Sequence, residues 1–346
     1  MERLKEIKLM TPRYPNRGTD IIGGRMSGIM NWNDIRYPQM YTIYKQIRSN
    51  FWIPQRISLV EDVRQFPNLP KRTQEAYLDV IGQLSTLDSI QTRLVLEFGR
   101  FLSEPTYQPI AANIAQQEAT HEESYSYVLS SVVPDTGKQN EVFDKAKTNE
   151  DVLKRNDRVY KYYQEFVDDP TPQTFFKALV ACVVLEGIYF YSAFTFFYNL
   201  ARNHLMVGTS TMINYIQRDE VAHAYFFSQV LRYLMAERPE LHTEENVNFI
   251  YDMMQEAADL EIEYSQKILH DIPGLDLEEL EGYIKSLCNR RLRGVGLDDI
   301  YEGVENSMPW MIAFDDGSNN QTKSDMFEQK SRNYKKVDED NDADDF

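Results

Sequence analysis

Two histidines stand three residues after a glutamate, in Glu118-Ala-Thr-His121 and in Glu220-Val-Ala-His223. On a helix that spacing sets both side chains on one face, so each pair offers a carboxylate and an imidazole to the same point. Each pair is preceded by a lone carboxylate in apolar surroundings. Asp88 lies on a stripe with Leu84, Leu87, Gln91 and Val95, and Glu186 is embedded in Leu-Val-Ala-Cys-Val-Val-Leu-Glu-Gly-Ile-Tyr-Phe-Tyr. An ionised carboxylate in a core is costly enough that it must take up a proton, find a cation or bind a metal. Along the chain the order is carboxylate, then E-x-x-H 30 residues on, and again carboxylate, then E-x-x-H 34 residues on. Four carboxylates with one imidazole per ion suit iron or manganese better than zinc, whose structural sites favour thiolates. Singly, each residue is more simply a member of a buried ion pair; the six in this order point to a dinuclear metal site. Tyr125, four residues after His121, shares its helix face, although one tyrosine among 22 is ordinarily a packing ring.

Four long helices must carry these residues, and the chain has them. Periodic stretches run over 71–101, 108–133, 173–203 and 211–236, with further helical candidates at 35–50, 140–167, 243–270 and 276–293. Pro105 and Pro109 separate the first two, Pro134 ends the second, Pro170 and Pro172 open the third, and Pro239 follows the fourth. Strand signals are scarce. The expected fold is all-α: a ferritin-like helical bundle with a di-metal carboxylate site in its core, a pattern already described for such bundles. The expected division is an N-terminal segment over 1–34, the bundle over 35–293, and a polar, acidic and flexible tail over 294–346, whose last ten residues carry six acids and no base.

Composition excludes several classes. Charged residues at 26% and hydrophobic ones at 42% are globular proportions, and 37 basic against 54 acidic side chains leave a net charge of −17. Such a chain repels phosphate backbones and anionic lipid, so neither nucleic acid nor a membrane is expected as a partner. Ala178–Ala201 is apolar enough to suggest a membrane span, but Glu186 in its middle favours a helix buried at the centre of a bundle. The N-terminus reads as carrying no signal peptide, and two distant cysteines, Cys182 and Cys288, form no disulfide framework or zinc motif, which fits the cytoplasm.

In four segments the chain resembles the small, radical-generating subunit of class I ribonucleotide reductase: Leu87-Asp88-Ser89-Ile90-Gln91, Glu118-x-x-His121-x-x-x-Tyr125, Leu185-Glu186-Gly187-Ile188-Tyr189-Phe190-Tyr191 and Arg218-Asp219-Glu220-x-x-His223. The resemblance implies a first metal on Asp88, Glu118 and His121 and a second on Glu186, Glu220 and His223, with Glu118 and Glu220 bridging. It implies two iron ions per chain, manganese being the alternative, and an oxygen-derived stable radical on Tyr125. Phe190, Phe194, Ile213 and Ile216 match the apolar pocket that shields that radical. Trp52 and Asp219 match the route by which the radical equivalent leaves, and Tyr334 its last stop, with Glu328 fitting the family's tail glutamate. Asp at 88 and Tyr at 125 resemble the tyrosyl-radical forms.

Reduction of a ribose 2'-hydroxyl needs a thiyl radical and a reducing dithiol, which Cys182 and Cys288 cannot supply. No phosphate-cradling glycine loop is present either. The thiols must sit on another polypeptide, and the resemblance supplies one: a large, nucleotide-binding, cysteine-bearing subunit, engaged by a homodimer of this chain through the acidic tail, with a flavoprotein activator allowed for. A soluble di-iron oxygenase or desaturase is the rival expectation, and an iron-storage protein of the ferritin type a more distant one; neither offers a role for Trp52, Tyr125 or Tyr334.

Overall fold

The computed structural model describes residues 2–311. Its helices are α1 (Gln39–Ser49), α2 (Val60–Gln65), α3 (Lys71–Gly99), α4 (Tyr107–Val132), α5 (Thr136–Thr148), α6 (Glu150–Asp168), α7 (Pro172–Val184), α8 (Tyr191–Arg202), α9 (Val207–Glu237), α10 (Glu244–Ile268) and α11 (Leu277–Val295). Among the described residues there is no strand, only an isolated antiparallel bridge between Ile22 and Leu102.

Local chemistry sets the boundaries. Proline at the first position and a capping box between Thr171 and Thr174 start α7, and Thr243 and Asp276 cap α10 and α11 through their side chains. Gly296, at φ 88°, ends α11 in the left-handed conformation that glycine adopts without strain. The stretch expected as one helix over 140–167 is two. Asn149 stands between them with extended dihedrals, and its side chain accepts the N–H groups of Asp151 and Val152, so it stops α5 and caps α6. The start of α9 is capped from a distance: buried Asp62 of α2 accepts from the Gly208 N–H at 3.0 Å, the Thr209 N–H at 2.6 Å and the Thr209 hydroxyl at 2.7 Å.

The site-bearing helices pack together. α3 lies along α4, α7 and α8 lie on α9, and α4 meets α9, while α6, α10 and α11 close the outside. The apolar run over 178–201 is buried throughout, which is why a length and composition fit for a membrane serves here as the centre of a bundle. It is interrupted. Leu185–Tyr189 form one turn of π-helix between α7 and α8, and Glu186 sits in it. α11 itself runs to Val295, and Met308 and Met311 are buried beyond it, so packed chain extends past residue 293, where the tail was expected to begin.

Candidate metal centre

The bundle brings the six sequence-predicted ligands to one place. Asp88, Glu118, His121 and Glu220 offer ligand atoms that all lie within 4.8 Å of one another, and so do Glu118, Glu186, Glu220 and His223. The two groups share Glu118 and Glu220. The Nδ1 atom of His121 lies 3.0 Å from Glu220 Oε1, 3.3 Å from Glu118 Oε2 and 3.7 Å from Asp88 Oδ2. On the other side, His223 Nδ1 lies 3.0 Å from Glu118 Oε1, 3.1 Å from Glu220 Oε2 and 3.7 Å from Glu186 Oε2.

Buried polar atoms are normally hydrogen-bonded, and here many are not. Both oxygens of Asp88 and of Glu118, Glu186 Oε2, Glu220 Oε1 and His121 Nδ1 have no hydrogen-bond partner. Burial, then the charges of Glu118 and Glu220, push the Asp88 carboxyl well above its usual range, and burial with Glu220 and Glu118 does the same to Glu186. At Glu220 burial also pushes upward, but the close approach of Glu186 and of the two imidazoles, with the charge of His223, wins and holds it low. Burial alone would lower both imidazoles. At His121, the hydrogen bond to Asp219 and the nearby Glu118 and Glu220 carboxylates outweigh it, and at His223 the charges of Glu220 and Glu118 do, so both are held well above the usual value. Four carboxylates need four positive charges, which two divalent ions supply. The residues fit a dinuclear metal site, by their orphaned oxygens and by an oxygen-rich donor set with one imidazole per side.

Around the centre the outer partners are crossed. Carboxylates only accept, so His121 Nε2–H donates to Asp219 Oδ2 at 3.3 Å, which leaves Nδ1 facing the carboxylates. His223 Nε2–H donates to Gln117 Oε1 at 2.9 Å, and the Gln117 amide is held by the Ile47 carbonyl at 3.2 Å. The residue before each glutamate of one E-x-x-H thus serves the histidine of the other. Gln117 was missed in the sequence, though reading the repeat one residue further toward the N-terminus would have found it.

The remaining expected residues fall into three groups. Tyr125 is buried, its hydroxyl has no hydrogen-bond partner, and burial followed by the charges of Asp88 and Glu220 holds its phenol far above the usual value. Phe190, Phe194, Ile213 and Ile216 are all buried, and the two phenylalanine rings stack at 5.9 Å. Trp52 donates its indole N–H to Asp219 Oδ2 at 2.9 Å, so a continuous line runs from His121 through Asp219 to Trp52. Beyond it Tyr215, not foreseen, stacks on Trp52 at 5.3 Å. Tyr334 and Glu328 lie outside the described residues.

Such a helical bundle, with carboxylates and imidazoles from four core segments converging in its interior, defines the ferritin-like di-metal carboxylate proteins. Residues 29–309 match the model of the family described as ribonucleotide reductase, small chain. Over its full length the chain is 43% identical to the whole of the ribonucleoside-diphosphate reductase subunit beta of Halalkalibacterium halodurans. It is 36% identical to that of Treponema pallidum, over 91% of this chain and 90% of the relative. Among solved structures, the ribonucleotide reductase R2 subunit from Clostridium botulinum superposes with a TM-score of 0.87 at 33% identity, covering 91% of this chain and 99% of that one. The chain belongs to the ribonucleotide reductase small-chain family, and its function is that of the small subunit of ribonucleoside-diphosphate reductase. Small subunits of this family work with a large subunit and are typically dimeric.

Proposed function

We propose that Asp88, Glu118 and His121 hold one metal ion, that Glu186, Glu220 and His223 hold a second, and that Glu118 and Glu220 bridge them. The observation that carries this is the pair of overlapping buried groups sharing those two glutamates. The ions are two iron, with two manganese as the alternative; when bound they supply the oxygen-dependent, one-electron oxidising chemistry. The chain's own residues do the rest. Tyr125 gives up one electron and its phenolic proton and keeps the resulting radical. Phe190, Phe194, Ile213 and Ile216 exclude water and reductants from it, in keeping with their complete burial. Asp219 holds the His121 imidazole in one tautomer and joins it to Trp52, so the oxidising equivalent leaves along His121, Asp219 and Trp52. Tyr334 takes it to the large subunit, which the acidic tail engages, with a flavoprotein allowed for as activator. The protein acts in the cytoplasm as a homodimer.

The test is to load metal-free protein with iron and oxygen and record visible and paramagnetic resonance spectra. A sharp tyrosyl-radical band is expected, and two ions per chain. A soluble oxygenase would load the same ions and show no such radical.

A further inference from the structure

Glu186 is approached from behind by a chain of buried groups that belongs neither to the ligands nor to the radical route. Gln91, fully buried on α3, donates its side-chain N–H to Glu186 Oε1. An amide can be turned either way, and nothing in Gln91 itself chooses. The ionised Glu186 carboxylate, which only accepts, favours the N–H, and on α6 the Tyr163 hydroxyl, 2.6 Å from Gln91 Oε1, locks the same orientation. A second neighbour, Cys182 Sγ on α7, lies 3.4 Å from that hydroxyl. A phenol has one proton to give. The shorter contact takes it, so Tyr163 donates to Gln91 and its lone pairs face the thiol. Every donor then points toward the carboxylate: phenol to amide oxygen at 2.6 Å, the Cys182 thiol to the same oxygen at 4.0 Å, and amide N–H to Glu186. The reversed amide would set its oxygen against an ionised carboxylate oxygen, a repulsive contact in a dry interior, and would give up the short phenol-to-amide bond.

Glu186 Oε1 is therefore engaged, while Oε2 has no hydrogen bond and lies 3.7 Å from His223 Nδ1. The other three carboxylates of the cluster have no such anchor among the described residues, apart from the contact of Glu220 with His223. An anchor is needed here, because Glu186 stands in a π turn, which has one residue per turn more than the helices on either side. We infer that Tyr163 and Gln91 are positioning residues for the second metal ion: Tyr163 fixes the Gln91 amide, and Gln91 holds Glu186 so that only Oε2 is free to bind. The inference rests on the ligand assignment above.

The experiment titrates metal-free, full-length protein with Mn(II), following unbound Mn(II) by paramagnetic resonance, in wild type, Tyr163→Phe, Gln91→Met and Glu186→Ala. Tyr163→Phe removes one oxygen and keeps the ring, and Gln91→Met keeps the volume and removes the amide. Both are expected to weaken one binding step about tenfold or more, the range found when outer partners of metal ligands are removed, with the other step unchanged. The weakened step is the one that Glu186→Ala abolishes. Because the two act in series, the double variant is expected to bind like Gln91→Met alone. Gln91→Met decides the matter if Tyr163→Phe fails to fold. Unchanged affinities in both variants, with Glu186→Ala losing an ion, overturn the relay alone. So does an equal weakening of both steps, which marks a general loss of packing. Retention of two ions by Glu186→Ala overturns the ligand assignment and the relay with it.

Discussion

Glu186 and the two imidazoles respond to protons and metal ions in opposite ways, and the direction of each response follows from its surroundings. His121 and His223 are held above their ordinary 6.5, so without metal their imidazolium forms stabilise the fold below pH 6.5. That stabilisation is lost as pH rises through the raised values. Asp88 and Glu186, ordinarily 3.8 and 4.5, are also raised, so the metal-free fold favours their protonated forms and ionising them works in the same direction. Glu220 has the opposite sign, but its window lies below pH 4.5. The metal-free protein is therefore expected to melt at lower temperature at pH 9 than at pH 6.5. Over the same range the rise in melting temperature on adding Mn(II) should grow, since binding displaces protons, with affinity gaining roughly tenfold per pH unit for each proton released. Calorimetric scans with and without the ion measure both trends, and a stability that rises with pH in metal-free protein would contradict the charge state described. Glu186→Ala, for its part, should fold and bind at least one ion fewer than wild type by metal analysis. A carboxylate with a merely structural role would lower stability and leave the metal content at two.

At the scale of elements, the π turn is gripped from outside. Arg291 of α11 donates from Nε to the Gly187 carbonyl at 3.1 Å and from Nη2 to the Tyr191 hydroxyl at 2.7 Å. A Cβ at Gly187 would come within 2.7 Å of Arg291 Nε and 2.8 Å of its Cδ, so Gly187→Ala must displace the guanidinium. A loss of about 1–3 kcal/mol, measured by denaturant unfolding, is expected, the range for overpacking a well-packed site. Why this turn was not legible in the sequence is plain: apart from Glu186, Leu185–Tyr189 is as apolar as its neighbours, and the extra residue in the turn answers to tertiary packing. The same holds for Gln91, Gln117 and Tyr163, whose types are ordinary in a helix and whose roles arise only from what faces them across the bundle. Asn149, by contrast, is a readable signal, a cap residue in mid-pattern. What the sequence did make legible was set by the helical period: E-x-x-H on one face, a lone acid in an apolar stripe, and prolines at the breaks. Those features carry the fold and the six-residue cluster because they depend on local geometry alone.

A small subunit works with a large one, and the net charge of −17, with six acids in the last ten residues, bears on how the two would meet. Removing everything after Ser324 is expected to leave metal content and radical intact, abolish turnover with the large subunit and weaken association. The association of the intact chain should fall as salt screens its acids over about 10 Å at 0.1 M. Tyr334→Phe should abolish turnover and leave association unchanged, as read by sedimentation of the mixed subunits. A purely solubilising tail would leave both variants fully active. All of this presupposes that the buried cluster oxidises Tyr125, and one comparison tests that most directly: paramagnetic resonance and metal analysis on the same samples of wild type and Tyr125→Phe after loading with metal and oxygen. Two ions per chain in both, with a tyrosyl radical in wild type and none in the variant, is the expected result. A radical that persists in Tyr125→Phe, or wild-type protein that binds two ions and forms no radical, would contradict it.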